Sequence, residues 1–270
     1  MITQLAIAFI LSAIVVALAF WRGSLSESGA VGALLIGTLT FGLGGWQWGV
    51  LLVLFFVTSS LLSHFKEAEK KAAAEKFDKG HRRDGGQVIA NGGLGACIAT
   101  VSAFVPGAVV PAAAWFFLFL GVMATVTADT WATELGTLSK RPPRLITTGR
   151  TVEVGTSGGI SPLGTAVSLL GGLLIGLTGG LNTEYNIIVA AAAGALGGLL
   201  GSLIDSLLGA TVQRIYYSDT RHKETEKQYE NDGTPNRVLR GWAWMSNDMV
   251  NLLSSVVGGI TTVVLSALFS

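Results

Sequence analysis

Eight apolar stretches run through the chain, at roughly 2–21, 28–45, 47–64, 90–110, 114–135, 158–180, 187–212 and 247–269. About 20 mainly apolar residues carry a helix across the hydrocarbon of a bilayer. Backbone polar groups in lipid must find their partners within the segment, so the pattern predicts an all-α polytopic membrane bundle. Half of the 270 residues are hydrophobic and only 13% are charged, a balance that excludes an ordinary soluble domain. The expected organisation is one transmembrane domain over 1–270, with loops at about 65–89, 136–157 and 213–246. Met1 to Trp21 lacks a basic start and a small-residue cleavage site, and reads as the first span. The single cysteine, Cys97, excludes an internal disulfide, and no His or Cys pair has zinc-ligand spacing. The net charge of +1 says little about partners; no nucleic-acid partner is expected.

Charge fixes the expected orientation. All 18 Lys and Arg fall at Arg22, between Lys66 and Arg83, between Lys140 and Arg150, or between Arg214 and Arg240. Eight spans put those four segments on one side and every connection without Lys or Arg on the other, which is the positive-inside pattern. The three long loops are therefore expected in the cytoplasm and both termini outside.

The second span is rich in small residues suited to close packing (Gly29, Gly32, Gly37). After the third, HFKEAEKKAAAEKF has the i,i+4 Glu/Lys spacing of a solvated helical extension. The next run, KFDKGHRRDGGQVIANGG, brings Lys79, Arg82 and Arg83 to the entrance of the fourth span and sets Asn91 inside it. Cations and glycines at that level suit a phosphate at lipid depth, against the alternative of an ordinary basic loop. An amide within a span wants a partner.

The fifth span is the most polar. On a 3.6-residue period Thr125, Asp129 and Thr133 share a face, and Thr130 and Glu134 a neighbouring one. Asp129 lies on the order of 9 Å from the cytoplasmic end at ~1.5 Å per residue. A charge at that depth costs about 2.5–3.5 kcal/mol, so a partner is expected, either a divalent cation or an Arg. The loop that follows carries Lys140, Arg141, Arg144, Thr148 and Arg150, then Gly155-Thr156-Ser157-Gly158-Gly159 where the sixth span opens. Gly-rich backbone at a helix N-terminus offers free N–H groups and a positive dipole end to phosphate. No G-x-x-x-x-G-K-[ST] occurs, which excludes a soluble P-loop module.

In the seventh span Gly194, Gly198 and Gly201 form a stripe that ends in Asp205, about 12 Å deep. Two carboxylates from different helices at matching depth are a candidate Mg²⁺ site; independent polar packing groups are the alternative. The segment Asp219 to Arg240 mixes charges in no chemical pattern and reads as mobile, whereas Asn247, Asp248 and Asn251 are candidates to line the same cavity. Ser26 to Gly37 and Ser161 to Gly172 echo one another, as a parallel duplication of four helices would allow.

Taken together, LSESGAVGALLIG, KFDKGHRRDGGQVIANGG, ADTWATELGTLSKRPPRLITTGRTVEVGTSGG and GSLIDSLLGA resemble the integral membrane family that includes plant phytyl-phosphate kinase and uncharacterised bacterial and archaeal relatives. The order of carboxylate helix, basic loop, Gly-Thr turn and acidic helix is more distantly similar to CTP-dependent lipid kinases and phosphatidate cytidylyltransferases. The resemblance implies CTP or another nucleoside triphosphate with Mg²⁺, a prenyl-phosphate lipid as acceptor and a prenyl diphosphate as product. On that reading Asp129, Glu134 and Asp205 hold Mg²⁺. Lys140, Arg141, Thr148, Arg150 and Gly155 to Gly159 hold the nucleotide, and Lys79, Arg82, Arg83 and Asn91 receive the acceptor phosphate. Asp129, Asp205, Lys140 and Arg141 would carry catalysis, in a multi-pass protein of a prokaryotic inner membrane that contacts lipids and allows an oligomer. The rivals are a CTP-dependent nucleotidyltransferase or polyprenol kinase, and a small-solute transporter.

Overall fold

The computed structural model describes residues 1–66, 69–70, 82–105, 107–230 and 232–269. Among them are eight helices long and apolar enough to cross a membrane. We label them α1 (Ile2–Trp21), α2 (Glu27–Gly44), α3 (Trp46–His64), α4 (Gly85–Phe104), α5 (Ala112–Gly136), α6 (Pro162–Leu181), α7 (Ile187–Thr211) and α8 (Asn247–Phe269). The polytopic helical bundle read from the sequence is what the chain adopts.

Its centre is α5, where the run from Phe119 to Ala128 is buried without interruption. Phe116, Phe119 and Trp48 of α3 form the aromatic part of this core, the last two stacked with ring centroids 4.4 Å apart. Around α5 stand α3, α4, α6, α7 and α8, while α1 packs on α2 and keeps most of its surface outward. Glycine permits the closest contacts. A Cβ on Gly172 of α6 would stand 2.5 Å from the Gly194 carbonyl of α7, and one on Gly194 would stand 2.7 Å from Gly176 Cα. The expected stripe on α7 thus meets its neighbours closely: Gly194 faces the backbone of α6, Gly198 the backbone of both α5 (Ala124) and α6 (Gly172), and Gly201 the Thr125 side chain of α5.

Two helix starts differ from expectation. The fourth span begins at Gly85 because Asp84 and Gln87 form a reciprocal capping box, Gln87 N–H donating to Asp84 at 2.9 Å and Asp84 N–H to Gln87 at 3.2 Å. Within it Ile89–Gly93 is a single π turn that contains Asn91. The sixth begins at Pro162, with Ser161 Oγ accepting from Gly164 N–H at 3.1 Å. Gly155 to Gly159 therefore precede the helix and do not form its first turn. Ser26 caps α2 the same way, accepting from Gly29 N–H at 3.1 Å, so the echoing segments share a cap geometry.

The loops are more ordered than their sequences suggest. After α5 the chain folds into a two-stranded ribbon, β1 (Arg144–Leu145) against β2 (Gly159–Ile160). After α7, where we expected a mobile loop, β3 (Ile215–Ser218), β4 (Lys223–Thr225) and β5 (Arg237–Arg240) make an antiparallel sheet in the order β4-β3-β5. The helical extension expected after α3 falls largely outside the described residues, as does Lys79.

Candidate functional site

A cavity of about 730 Å³ opens at the end of the bundle where α5 and α7 finish and α4, α6 and α8 begin. Its deep wall carries Asp129 and Asp205, and its sides carry Arg83, Asn91, Glu134, Gly155 to Gly159, Asn247, Asp248 and Asn251. Over it lies the β3–β5 sheet, which we call the cap; it contributes Glu226, Gln228 and Tyr229 and is preceded by Arg214. The three candidates at the start of α8 thus join the cavity, and a segment without legible chemistry supplies part of its roof.

The two aspartates line the cavity from adjacent helices. Their carboxylates interact electrostatically, and Glu226 of the cap acts on both. Asp205 accepts a hydrogen bond from Ser254 Oγ of α8 at 3.1 Å. Neither aspartate has an ion-pair partner among the described residues. The Arg alternative for Asp129 is therefore not realised there. A seam of hydroxyls lies alongside: Ser168 of α6 donates to the Ala128 carbonyl at 3.2 Å and meets Ser202 of α7 at 3.1 Å. These bonds join the helices that carry the aspartates.

Glu134 faces the same cavity but is otherwise engaged. One carboxylate oxygen accepts from Ser63 Oγ at 2.7 Å and the other pairs with Lys70. Lys70 also donates to the Leu62 and Ser63 carbonyls, at 2.7 and 3.2 Å, so its ammonium is fully occupied. Among the described residues no three His, Cys, Asp or Glu groups stand as a metal cluster. The three-carboxylate set expected from the sequence is thus corrected to a pair, because Glu134 one turn along α5 is turned toward α3. Two carboxylates still fit Mg²⁺, which keeps several waters and takes further ligands from substrate phosphates.

The Gly turn is held from two sides. Ile146 N–H donates to the Gly158 carbonyl at 3.0 Å through the β1–β2 ribbon. Gly155 and Gly158 have φ of +81° and +83°, the left-handed region, and a Cβ on Gly158 would collide with Ala210 at the end of α7. Ser157 Oγ donates to Gln213, whose amide donates in turn to Glu226 at 2.8 Å and to Asn247 at 3.4 Å. Turn, cap and α8 are therefore one hydrogen-bonded unit. Within the turn the N–H groups of Thr156 and Gly159 donate to the Glu153 and Thr156 carbonyls, at 3.1 and 2.9 Å, and none of its residues lies in the first turn of α6.

Arg83 is the cation that enters between the helices. Its main chain is clamped to the segment before α2, donating to Ser24 at 3.0 Å and accepting from Ser26 at 2.9 Å. The guanidinium lies 5.6 and 5.4 Å from the rings of Phe55 and Phe56, with one long hydrogen bond to Ser60 at 3.4 Å. Burial pushes its pKa down to about 10, the Glu134 charge opposing the shift. It has no carboxylate within ion-pair distance among the described residues. Asn91 stands nearby on the π turn and accepts from Asn251 at 3.4 Å. π turns recur at functional sites, and this one aims the amide into the cavity.

Other basic candidates lie elsewhere. Arg82 is exposed and spends its Nε on the Leu25 carbonyl at 2.8 Å, beneath Phe20. Lys140, Arg141, Thr148 and Arg150 are exposed on the loop, outside the cavity lining. The ribbon folds that loop so that its Gly turn enters and its basic side chains remain outside.

The family model described as "Integral membrane protein DUF92" matches residues 10–259. The chain belongs to this family. It is 32% identical to Protein PGR of Arabidopsis thaliana, over 97% of this chain and 96% of that protein. It is 35% identical to the uncharacterized membrane protein MJ0933 of Methanocaldococcus jannaschii, over 57% of this chain and 61% of that one. With Protein VTE6, chloroplastic, of Arabidopsis thaliana it shares 25% identity over 89% of this chain and 65% of that one. The expectation of a phytyl-phosphate kinase-like membrane family is borne out by these matches. No solved structure matches.

Proposed function

We propose that this DUF92 protein is a membrane-embedded phosphotransferase that makes a prenyl diphosphate from a prenyl phosphate and a nucleoside triphosphate, with CTP as the donor that the family resemblance implies. The observation that carries the reading is a juxtaposition of unmatched charges. Asp129 and Asp205, without a basic partner, share a cavity with Arg83, which lacks an acidic one, among the described residues. A site with separate places for a cation and for phosphate is what phosphoryl transfer needs, since the chemistry is mostly positioning and charge neutralisation.

The residues divide the work. Asp129 and Asp205 would hold Mg²⁺, which when bound neutralises charge developing on the phosphoryl oxygens. The Gly155–Gly159 turn offers the donor phosphates the backbone N–H groups it does not use itself, those of Thr156 and Gly159 being bonded to the Glu153 and Thr156 carbonyls. Arg83 receives the acceptor phosphate, with Asn91 beside it, while the prenyl tail lies among the small-residue faces of the helices. An acceptor oxygen attacks the terminal phosphorus, a new P–O–P bridge forms, and the donor's β–γ bridge breaks to leave a nucleoside diphosphate. The attacking oxygen is already anionic, so no general base is required, in keeping with a lining that includes no histidine among the described residues. The positive-inside count supports placing this end in the cytoplasm, where nucleotides are, of a prokaryotic inner membrane. The closed core formed by Phe119, Leu120, Val122 and Met123, beyond the aspartates on α5, favours an enzyme over a transport path.

Incubation of purified protein with Mg²⁺, γ-labelled CTP and phytyl phosphate is expected to yield labelled phytyl diphosphate and CDP. Release of pyrophosphate with transfer of the nucleotide would replace this reading with nucleotidyl transfer. A protein that neither binds CTP nor turns over sinks both.

A further inference from the structure

One cation in the cavity is unaccounted for. Arg214 follows α7 directly, in the segment whose sequence shows no chemical pattern, and it lines the cavity. Its backbone has little freedom. The N–H donates to the Met245 carbonyl at 2.8 Å, and Gly241, at φ +87°, packs so closely that a Cβ there would stand 2.7 Å from Arg214 N. The guanidinium is equally constrained, with one Nη donating to the Gly241 carbonyl at 2.8 Å and its carbon 5.8 Å from the Tyr216 ring.

What is missing is an anion. The Nε of Arg214 is buried with no hydrogen-bond partner, and no carboxylate forms an ion pair with the residue among the described residues. A buried guanidinium N–H left unsatisfied is costly, more so than a neutral donor. Among the described residues, the other basic ones in the cavity lining are Lys70, paired with Glu134, and Arg83 on the far side near α3. Arg214 is also coupled to the Gly turn, because the preceding residue, Gln213, accepts from Ser157.

We infer that Arg214 is the anion receptor of the cap, holding a phosphate of the donor's polyphosphate chain against the Gly155–Gly159 turn. The inference rests on the reading of the cavity as a phosphotransferase site and adds a receptor on the donor side. It also supplies the role that Lys140, Arg141 and Arg150 would have filled had their loop folded inward. The planar fork of Arg suits two phosphate oxygens, which a Lys point charge would not reproduce.

The test uses the full chain in detergent, with inorganic tripolyphosphate, Mg-CTP and cytidine as separate probes. Arg214→Gln is expected to weaken tripolyphosphate and CTP about tenfold, the size of one lost charge-assisted contact. It should leave cytidine binding unchanged. In the wild-type protein, tripolyphosphate is expected to protect Arg214 from an arginine-selective dicarbonyl reagent, read by peptide mass spectrometry, so the result does not depend on a variant folding. Wild-type affinity in Arg214→Gln, or no protection of Arg214 in a protein that does bind tripolyphosphate, overturns the inference. Binding with protection but without transfer to phytyl phosphate would instead count against the proposed reaction while leaving the receptor in place.

Discussion

At the scale of single residues, the proposed function separates cavity groups held for chemistry from groups held for stability. Replacing Asp129 or Asp205 by Asn keeps the shape and removes a charge, so turnover with phytyl phosphate and CTP should fall on the order of 100-fold in either variant. The thermal midpoint should barely move, since neither carboxylate sits in an ion pair among the described residues. Lys70 and Glu134 should behave in the opposite way. With side chains only 5% and 17% exposed, they form a largely buried pair, and Lys70→Met strands a carboxylate at a cost of about 3 kcal/mol. Thermal unfolding in detergent should show that loss, and the double replacement Lys70→Met with Glu134→Met should recover much of it. The aspartates were legible in the sequence because a charge deep in an apolar run has few explanations. Glu134 was misassigned as a ligand for a physical reason: helical periodicity gives the face a residue occupies, but not whether a lysine 64 positions away reaches it first.

At the scale of elements, the helices could be read from hydropathy and the caps from short motifs, whereas the cap sheet could not be read at all. Its strands are three or four residues long, too short for alternation to emerge. Part of what fixes it is a polar network. Hydrogen bonds from Ser218 hold the Glu230 carboxyl down to about 2, against an ordinary value of 4.5, with further contributions from Arg221 and Asn236. A depressed carboxylate stabilises the folded state above its unfolded pKa, so this contribution is complete above pH 4.5 and is lost as pH falls through about 2. Fluorescence of Trp242 and Trp244, read in a background where the other tryptophans are replaced, should therefore stay native from neutrality down to about pH 4.5. Glu230→Gln should loosen the cap already at neutral pH. The glycine contact between α6 and α7 leads to a second expectation. Gly172→Val drives a side chain into the α7 backbone, and a loss of about 2 kcal/mol or more is expected in chemical denaturation.

For the molecule as a whole, the sequence carried most of the architecture: the number of spans, their approximate bounds and the side on which basic residues gather. It did not carry the convergence of distant loops, because contacts such as Ser157 with Gln213 leave no local pattern. The orientation can be tested directly. In a Cys97→Ser background, Arg150→Cys should react with an impermeant maleimide only from the cytoplasmic side, and Glu184→Cys only from outside. Reaction from the reverse sides would place the cavity away from nucleotides and end the case for a kinase. The bare contact of α6 with α7 carries a mechanical consequence as well. Two helices with no side chain between them at Gly172, Gly176 and Gly194 pack backbone against backbone, which makes them the candidate stator of the bundle. Asp205 and, through Ala210, the Gly turn are fixed to that stator. Arg83 and the π turn of α4 are borne by a different wall, clamped to the start of α2. Under the proposed function, the motion that admits a lipid and releases its product would then belong to the wall that carries Arg83, and the catalytic clock would be set there, away from the carboxylates.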